Sequence, residues 1–325
     1  MSDLALDLSN VAKTYPGKVR ALRGIDMKVG RGEVFGLLGP NGAGKSTLVK
    51  ILMTVIRPTH CEGTVLGGPV GRKSTLARVG YLPEHHQFPE YMTGRQVLDF
   101  FGAMSGVDRR TRRTRAAELL QLVGMEDWAK SKVGEYSKGM RQRLGIAQSL
   151  MGDPDLVLLD EPTDGVDPVG RREIRDIVKH LRETGKTVFI NSHLLSELEM
   201  VCDRVAIMVQ GLIRSQGSLD ELTRDQRRYE VQVSPEDEAA LAAAAAGVTE
   251  EHGVAGGLLT VRSEQASVVQ PVIDKLRAGG VTVLRVEGRR PSLEDLFIQA
   301  VTDPETGLEY KPGASRNHGS KKGGE

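Results

Sequence analysis

Cysteine is scarce. Cys61 and Cys202 are the only two in 325 residues, far apart in the chain. That number and spacing exclude a disulfide framework and fit a reducing compartment. An excess of one charge is missing too: 44 Lys+Arg stand against 43 Asp+Glu, a formal net charge of +1. With no global basic field, nucleic-acid binding gains no support from charge. No uninterrupted apolar run approaches the ~18 residues that cross a bilayer. The N-terminal stretch Met1 to Asn10 is acidic and lacks the basic start and apolar core of a secretion signal. The expectation is a soluble, cytoplasmic chain that reaches a membrane only through a partner. What is present is core-forming material, with 39% hydrophobic and 27% charged residues. The length suggests about two domains.

Residues 1–222 alternate short apolar runs with helical patterns. The runs Val34–Leu38, Leu156–Leu159, Thr187–Ile190 and Val205–Val209 are continuous enough for strands buried on both faces. Ile174, Ile177, Val178 and Leu181 repeat at helical spacing, as do Ala116, Leu119, Leu120 and Val123. Such alternation predicts an α/β fold with a largely parallel sheet. The texture changes at the charged stretch Thr223 to Arg228. Residues 228–302 then predict a small α/β domain in the order β-α-β-α-β-α. Its strands are expected at Tyr229–Val233, Leu258–Val261 and Val281–Val286. Its helices are expected at Glu236–Ala246, from about Pro271 to Arg277, and around Leu293, Leu296, Phe297 and Ala300. Residues 303–325, rich in Pro, Gly, Ser, Asn and Lys, read as a mobile tail.

One motif sets the chemistry. Gly39, Pro40, Asn41, Gly42, Ala43, Gly44, Lys45, Ser46 and Thr47 match G-x-x-x-x-G-K-[ST] completely. They follow the strand Val34–Leu38 and open a helical stretch, Thr47 to Val55, as a phosphate-binding loop requires. Glycines let backbone N–H groups turn inward toward phosphate oxygens, and the helix N-terminus adds positive potential. Lys45 would reach the β- and γ-phosphates, the Ser46 hydroxyl would coordinate Mg²⁺, and Thr47 is placed for the α-phosphate. Downstream, the apolar strand Leu156–Leu159 ends in Asp160 and Glu161. Asp160 would be the acidic Mg²⁺ partner, and Glu161 would polarise an attacking water. A solvated strand end is the plain alternative for two carboxylates, and the phosphate loop upstream argues against it.

A third segment is narrower. Tyr136, Ser137, Lys138, Gly139 and Met140 lead into a helix with Leu144, Ala147, Leu150 and Met151 apolar. Ser137 alone reads as a helix cap, yet Ser-x-Gly at a helix start also suits an anion. Two chains head to tail would let one ATP lie between a phosphate loop and the other chain's Ser137 segment.

The ordered set Gly39–Thr47, Tyr136–Gln142, Asp155–Pro162, Asp164–Asp167 and Asn191–His193 resembles the ATP-binding subunit of an ABC transporter over roughly residues 4–222. The resemblance implies a P-loop NTPase sheet with an ABC-type helical subdomain at about 85–150, ATP and Mg²⁺ as ligands, and ATP hydrolysis. It implies that Tyr15 stacks on adenine and that Ser137 and Gly139 complete the partner's ATP site. Asp167 would link the two sites, and His193 would contact the γ-phosphate and steady Glu161. It further implies a homodimer or pseudo-dimer on ATP binding, a separately encoded permease met by the region from Glu84 to Phe101, and attachment to the cytoplasmic face of the membrane through it. Two positions depart from the family pattern. Tyr-Ser-Lys-Gly-Met stands for Leu-Ser-Gly-Gly-Gln, with Gln142 close to the lost glutamine. Glu84 replaces the family's Q-loop glutamine; it can still face Mg²⁺ or a water but cannot donate an amide hydrogen bond. Both departures, and the ending Ser292–Phe297, resemble the subgroup serving type-two export permeases, including drug-resistance exporters.

Other readings remain. A non-transport ABC ATPase in translation or DNA repair would bring a second cassette or long coiled coils, and neither is seen. A P-loop kinase or GTPase would not explain Ser137, Gly139 or His193, and the GTPase's Asn-Lys-x-Asp segment is absent. His85 and His86 read as a surface pair. The five arginines between Arg109 and Arg115 read as a solvated helix face, or as a contact to anionic lipid.

Overall fold

The computed structural model describes residues 3–224, 227–302, 306, 308 and 310. The expected mobile tail therefore lies almost wholly outside the described residues, as do residues 225–226 of the charged stretch. The chain forms two compact units, one of Met1–Gln216 with the residues from Phe297 on, and one of Gly217–Leu296.

In chain order the first unit holds β1 (Leu4–Tyr15), β2 (Val19–Gly30), β3 (Val34–Leu38), α1 (Lys45–Leu52), β4 (His60–Val65), β5 (Gly68–Pro69) and β6 (Val79–Leu82). There follow α2 (Gly94–Met104), α3 (Arg109–Leu122), α4 (Lys138–Ser149), β7 (Leu156–Asp160), α5 (Pro168–Glu183), β8 (Thr187–Asn191), α6 (Leu195–Glu199), β9 (Arg204–Val209) and β10 (Leu212–Gly217). A six-stranded sheet runs β10-β9-β3-β8-β7-β6, and its pairs β9/β3, β3/β8, β8/β7 and β7/β6 are parallel. All residues of β3, β7 and β8 are buried, which is why these runs are apolar throughout rather than alternating. Phe35 and Phe189 stack across β3 and β8 with ring centres 5.8 Å apart.

The parallel sheet was legible, but a second sheet was not. β2-β1-β4-β5 is antiparallel. Its long strands carry register shifts between Leu8 and Val11, with Asn10 at φ 49°. A bulge of this kind swaps the inward face, so the period-two pattern breaks midway. The predicted helix Thr47–Val55 begins two residues earlier, at Lys45, and ends at Leu52; Thr54 sits at φ 57°, outside helical geometry.

Three capped helices, α2, α3 and α4, lie between β6 and β7. Thr93 and Gln96 build a capping box on α2, Asp108 accepts from the N–H groups of Arg110 and Thr111 on α3, and Ser137 Oγ accepts from Met140 N at 3.2 Å on α4.

The second unit contains α7 (Leu219–Thr223), β11 (Arg228–Gln232), α8 (Glu238–Ala245), β12 (His252–Ala255), β13 (Leu258–Arg262), α9 (Gln270–Ala278) and β14 (Arg285–Arg289), followed by α10 (Leu293–Val301). Its sheet is antiparallel, in the order β12-β13-β11-β14. Val231, Leu259, Val261, Leu241, Val272 and Leu276 build its core. The predicted strand Val281–Val286 is displaced. Val281 N donates to Leu276 O at the end of α9, Val281 and Val283 pack on the core, and pairing with β11 starts only at Arg285. The apolar residues of that run serve the connection, while the strand itself is charged and exposed. The short strand β12 is mostly exposed and had no apolar signal to reveal it.

Candidate active site

The site gathers at the carboxyl ends of adjacent parallel strands, where ligands of open α/β sheets bind. The glycine loop follows β3, Glu84 follows β6, Asp160 ends β7 and Asn191 ends β8. Ladder pairing sets them side by side, Asp160 opposite Asn191 and Asn191 opposite Leu37. A cleft of about 380 Å³ opens here. Asn41, Gly42, Ala43, Gly44, Lys45, Ser46, Thr47, Glu84, Glu161 and His193 line it, together with Ala21, Asp164 and Asn191.

The loop's shape depends on glycine at position 44. Gly44 is at φ 113°, and a Cβ there would lie 2.6 Å from the Ala21 carbonyl oxygen. Gly44 is also the N-cap of α1, so the N–H groups of that first turn lack intrahelical acceptors. Lys45 is buried; its Nζ donates to Gly39 O at 2.6 Å and to Pro40 O at 3.4 Å. Burial lowers its pKa, opposed by Glu161, Asp160 and Glu84 in that order.

Across the cleft, Glu161 is held at φ 50°, a left-handed conformation uncommon for a residue with a side chain. Its N–H donates to Asn191 O at 2.8 Å, and its carbonyl accepts from Asp164 N at 3.2 Å and Gln142 Nε2 at 3.4 Å. Three donors converge on its carboxylate Oε2: Ser192 Oγ at 3.2 Å, His193 N at 3.4 Å and His193 Nδ1 at 2.8 Å. Asp160, also buried, accepts from the Asn191 side-chain amide. Burial raises the Asp160 pKa; Glu84 and Glu161 push the same way, while the Asn191 bond and Lys45 oppose. Tyr81, on β6 behind the site, is pushed up to about 12 by burial, then by Asp160 and Glu84.

Three carboxylates thus act on one ammonium, a local excess of negative charge that suits a divalent cation. Among the described residues no group of three or more His, Cys, Asp or Glu is arranged to hold a metal alone.

Of the other predicted residues, Tyr15 stands against the end of the glycine loop. Tyr15 OH is 3.5 Å from Thr47 Oγ1, and Lys13 Nζ lies 5.2 Å from the Tyr15 ring centre. Ser137, Gly139 and Asp167 do not line the cleft of their own chain. They cluster together: a Cβ on Gly139 would stand 3.8 Å from Asp167 Oδ1 and 4.0 Å from Ser137 Oγ. Lys138 joins Asp164 at 2.9 Å. Beside this cluster Trp128 packs edge-on against Tyr136, whose hydroxyl donates to Trp128 O at 2.6 Å.

Sequence reasoning included Gln142 and Asn191 in motif segments but gave neither a role in the site, because the group an amide meets is set by the fold. It also misplaced His86. That ring is half-buried, its nitrogens 3.3 Å from Pro83 O and 3.2 Å from Arg141 O, so it is not one of a surface pair. Nor is the arginine run of α3 simply solvated: Arg112 binds Asp99, and Arg115 binds Asp153 and Leu150 O.

Comparison with known proteins converges on one family. Residues 22–164 match the family described as ABC transporter, and residues 217–301 the family described as ATP-binding protein DrrA1-3-like, C-terminal domain. The chain is 42% identical over 288 residues to an uncharacterised ABC transporter ATP-binding protein of Synechocystis, covering 88% of this chain and 80% of that one. It is 36% identical over 312 residues to the daunorubicin resistance ATP-binding protein DrrA3 of Streptomyces coeruleorubidus, covering 93% and 98%. Among solved structures, cbiO1 of Clostridium perfringens, part of the ABC transporter complex cbiONQ, superposes with a TM-score of 0.63 at 27% identity, over 69% of this chain and 92% of that one. A phosphate-type loop, an acidic strand end and a Ser-x-Gly helix start, set in this fold and with these relatives, make the chain a member of the ABC transporter ATP-binding family, an ATPase.

Proposed function

We propose that the chain hydrolyses ATP as one of a pair of subunits that drive a separately encoded export permease. ATP would lie on the loop Gly39–Thr47, with adenine against Tyr15 and the phosphates on the N–H groups opening α1. Phosphate oxygens would take over the Lys45 ammonium from Gly39 O and Pro40 O. Ser46, Asp160 and Glu84 would hold Mg²⁺ with the nucleotide, and the bound ion would supply neutralisation of phosphate charge. Glu161 would orient and deprotonate the attacking water, steadied by His193.

The observation that carries this reading is the fixing of Glu161. Among the described residues, the hydrogen bonds to its carboxylate from Ser192 Oγ, His193 N and His193 Nδ1 all fall on Oε2, so Oε1 would be the oxygen that takes the water's proton. Ser137 and Gly139 lie outside their own chain's cleft, which favours their completing the site of a second copy, with Asp167 beside them as the link between sites. Loss of the γ-phosphate would then loosen the pair, a population shift driven by differential contacts.

Export is supported by the DrrA-like C-terminal domain and the resistance protein among the relatives. Among the described residues no helix is long and apolar enough to cross a membrane; in this reading the membrane path would be the permease's. A groove of about 870 Å³ between α2 and α3 is a suitable docking place. It presents Tyr91, Phe100, Arg109 and Arg113, within the helical region. No observation favours the non-transport alternative.

The test is size exclusion with light scattering on Glu161→Gln, with and without Mg-ATP, beside a turnover assay. The expected result is an ATP-dependent shift to dimer and a turnover loss of about 10²-fold or more. Wild-type turnover in the variant would overturn the role of Glu161, and an absent shift would overturn dimerisation by nucleotide alone.

A further inference from the structure

Asn191 belongs to no phosphate-loop or carboxylate motif, yet it touches both acidic residues of the site. Its main-chain carbonyl accepts from Glu161 N at 2.8 Å. Its side-chain amide donates to Asp160 Oδ1. The residue is 1% exposed and lines the cleft beside Lys45, Glu84 and Glu161. Its own Oδ1 is buried without a hydrogen-bond partner among the described residues.

The amide's orientation is fixed by that geometry. Flipping it would set a carbonyl oxygen against the Asp160 carboxylate. So the N–H side is committed to Asp160, and Oδ1 stays enclosed in the protein with its desolvation uncompensated. An amide kept in place at that cost is fixed by what its N–H side does for Asp160.

We infer that Asn191 is a positioning residue for the cation that accompanies ATP: its amide sets the carboxylate of Asp160, the residue proposed to hold that cation. The inference rests on the ATPase reading and adds a residue to it. A side chain that holds a carboxylate ligand from behind sets both its angle and its free oxygen. Loss of such a partner typically lowers metal affinity 10–100-fold.

The experiment uses the full chain and the variants Asn191→Ala and Asn191→Asp. The second keeps the shape but replaces the donor with an oxygen. ATP affinity is measured in EDTA and across a Mg²⁺ titration, and Mn²⁺ binding is followed by electron paramagnetic resonance with a non-hydrolysable ATP analogue. The expected result is a 10-fold or greater rise in the Mn²⁺ dissociation constant. ATP affinity in EDTA should stay within about twofold, and turnover should recover partly at high Mg²⁺, because binding rather than chemistry is impaired.

An unchanged metal dependence overturns the inference. So does a parallel loss of ATP affinity in EDTA, which would mean that Asn191 merely shapes the cleft. If Asn191→Ala does not fold, Asn191→Thr, which keeps a hydroxyl that can donate, carries the same test. A wild-type chain that binds no ATP with or without Mg²⁺ would overturn the ATPase reading itself, and the inference with it.

Discussion

At the scale of single residues the site is a place where stability is given up. Lys45 is buried against its own loop and its charged form is disfavoured, while Asp160 is disfavoured as an anion by burial and two neighbouring carboxylates. Glu161 adds a left-handed backbone, a strain of about 1–3 kcal/mol. These costs persist because the surrounding strands dictate the positions, and a ligand offering phosphate oxygens and a cation relieves them. Lys45→Ala should therefore lower ATP affinity tenfold or more, about 1.4 kcal/mol, and abolish turnover. Calorimetric titration beside a phosphate-release assay checks this, and retained turnover would remove Lys45 from the mechanism. Lys45, Ser46, Glu84, Glu161 and His193 were singled out in the sequence, and the structure brings them to one cleft. The contacts of Asn191 and Gln142 were not foreseen, because an amide's role lies in which carboxyl or carbonyl it meets, and that is decided by the pairing of β7 with β8 and the packing of α4.

Elements turn these residues into a mechanism. Ser137 caps α4 from the surface, and four residues on from the helix's first position, Lys138, α4 sends Gln142 to the carbonyl of Glu161. One helix thus joins the segment proposed to meet a second copy with Glu161, the residue proposed to act on the attacking water. Ser137→Arg should leave ATP binding to the isolated chain nearly intact and block hydrolysis, with the lost cap costing about 1 kcal/mol. Equal loss of binding in the isolated chain would refute a shared site. Elsewhere, Asp153 ties Lys186, ahead of β8, to Arg115 on α3, with Nζ at 2.6 Å and the guanidinium at 2.9 Å. The Lys186 bond first, then Arg115, holds the Asp153 carboxyl below its ordinary 3.8. A lowered carboxylate contributes stability above its unfolded pKa and loses it as pH falls through the folded one. Asp153→Asn should thus flatten the decline of the unfolding midpoint below about pH 4, modestly, since Asp153 is largely exposed and salt screens it. Urea melts from pH 5 to 2.5 at two salt concentrations would show it, and identical slopes would rule it out. Element reading from sequence succeeded where burial was complete, as in β3, β7 and β8. It failed where a bulge switched faces in β1, and where apolar residues served a connection before β14.

The whole molecule combines an ATPase unit with a smaller antiparallel unit, and the first was far more legible. Phosphate chemistry demands particular residues at particular spacings, whereas a small sheet over two helices asks only for apolar positions that many sequences satisfy. The order of the parallel strands was invisible in the sequence, although it is what brings Glu84, Asp160, Asn191 and the glycine loop to one edge. The packing of Trp128 on Tyr136 has a practical consequence. Trp128 is the sole indole in 325 residues; it is 44% exposed and stands beside the Ser137 segment. The chain therefore carries an intrinsic optical reporter at the surface where two copies would meet. Excited at 295 nm, a wavelength selective for the indole ring, the protein should show an emission change on mixing Glu161→Gln with Mg-ATP, and the change should grow with protein concentration. A change independent of concentration would report nucleotide binding within one chain instead. The association constant of the pair would follow from the unlabelled protein, by light alone.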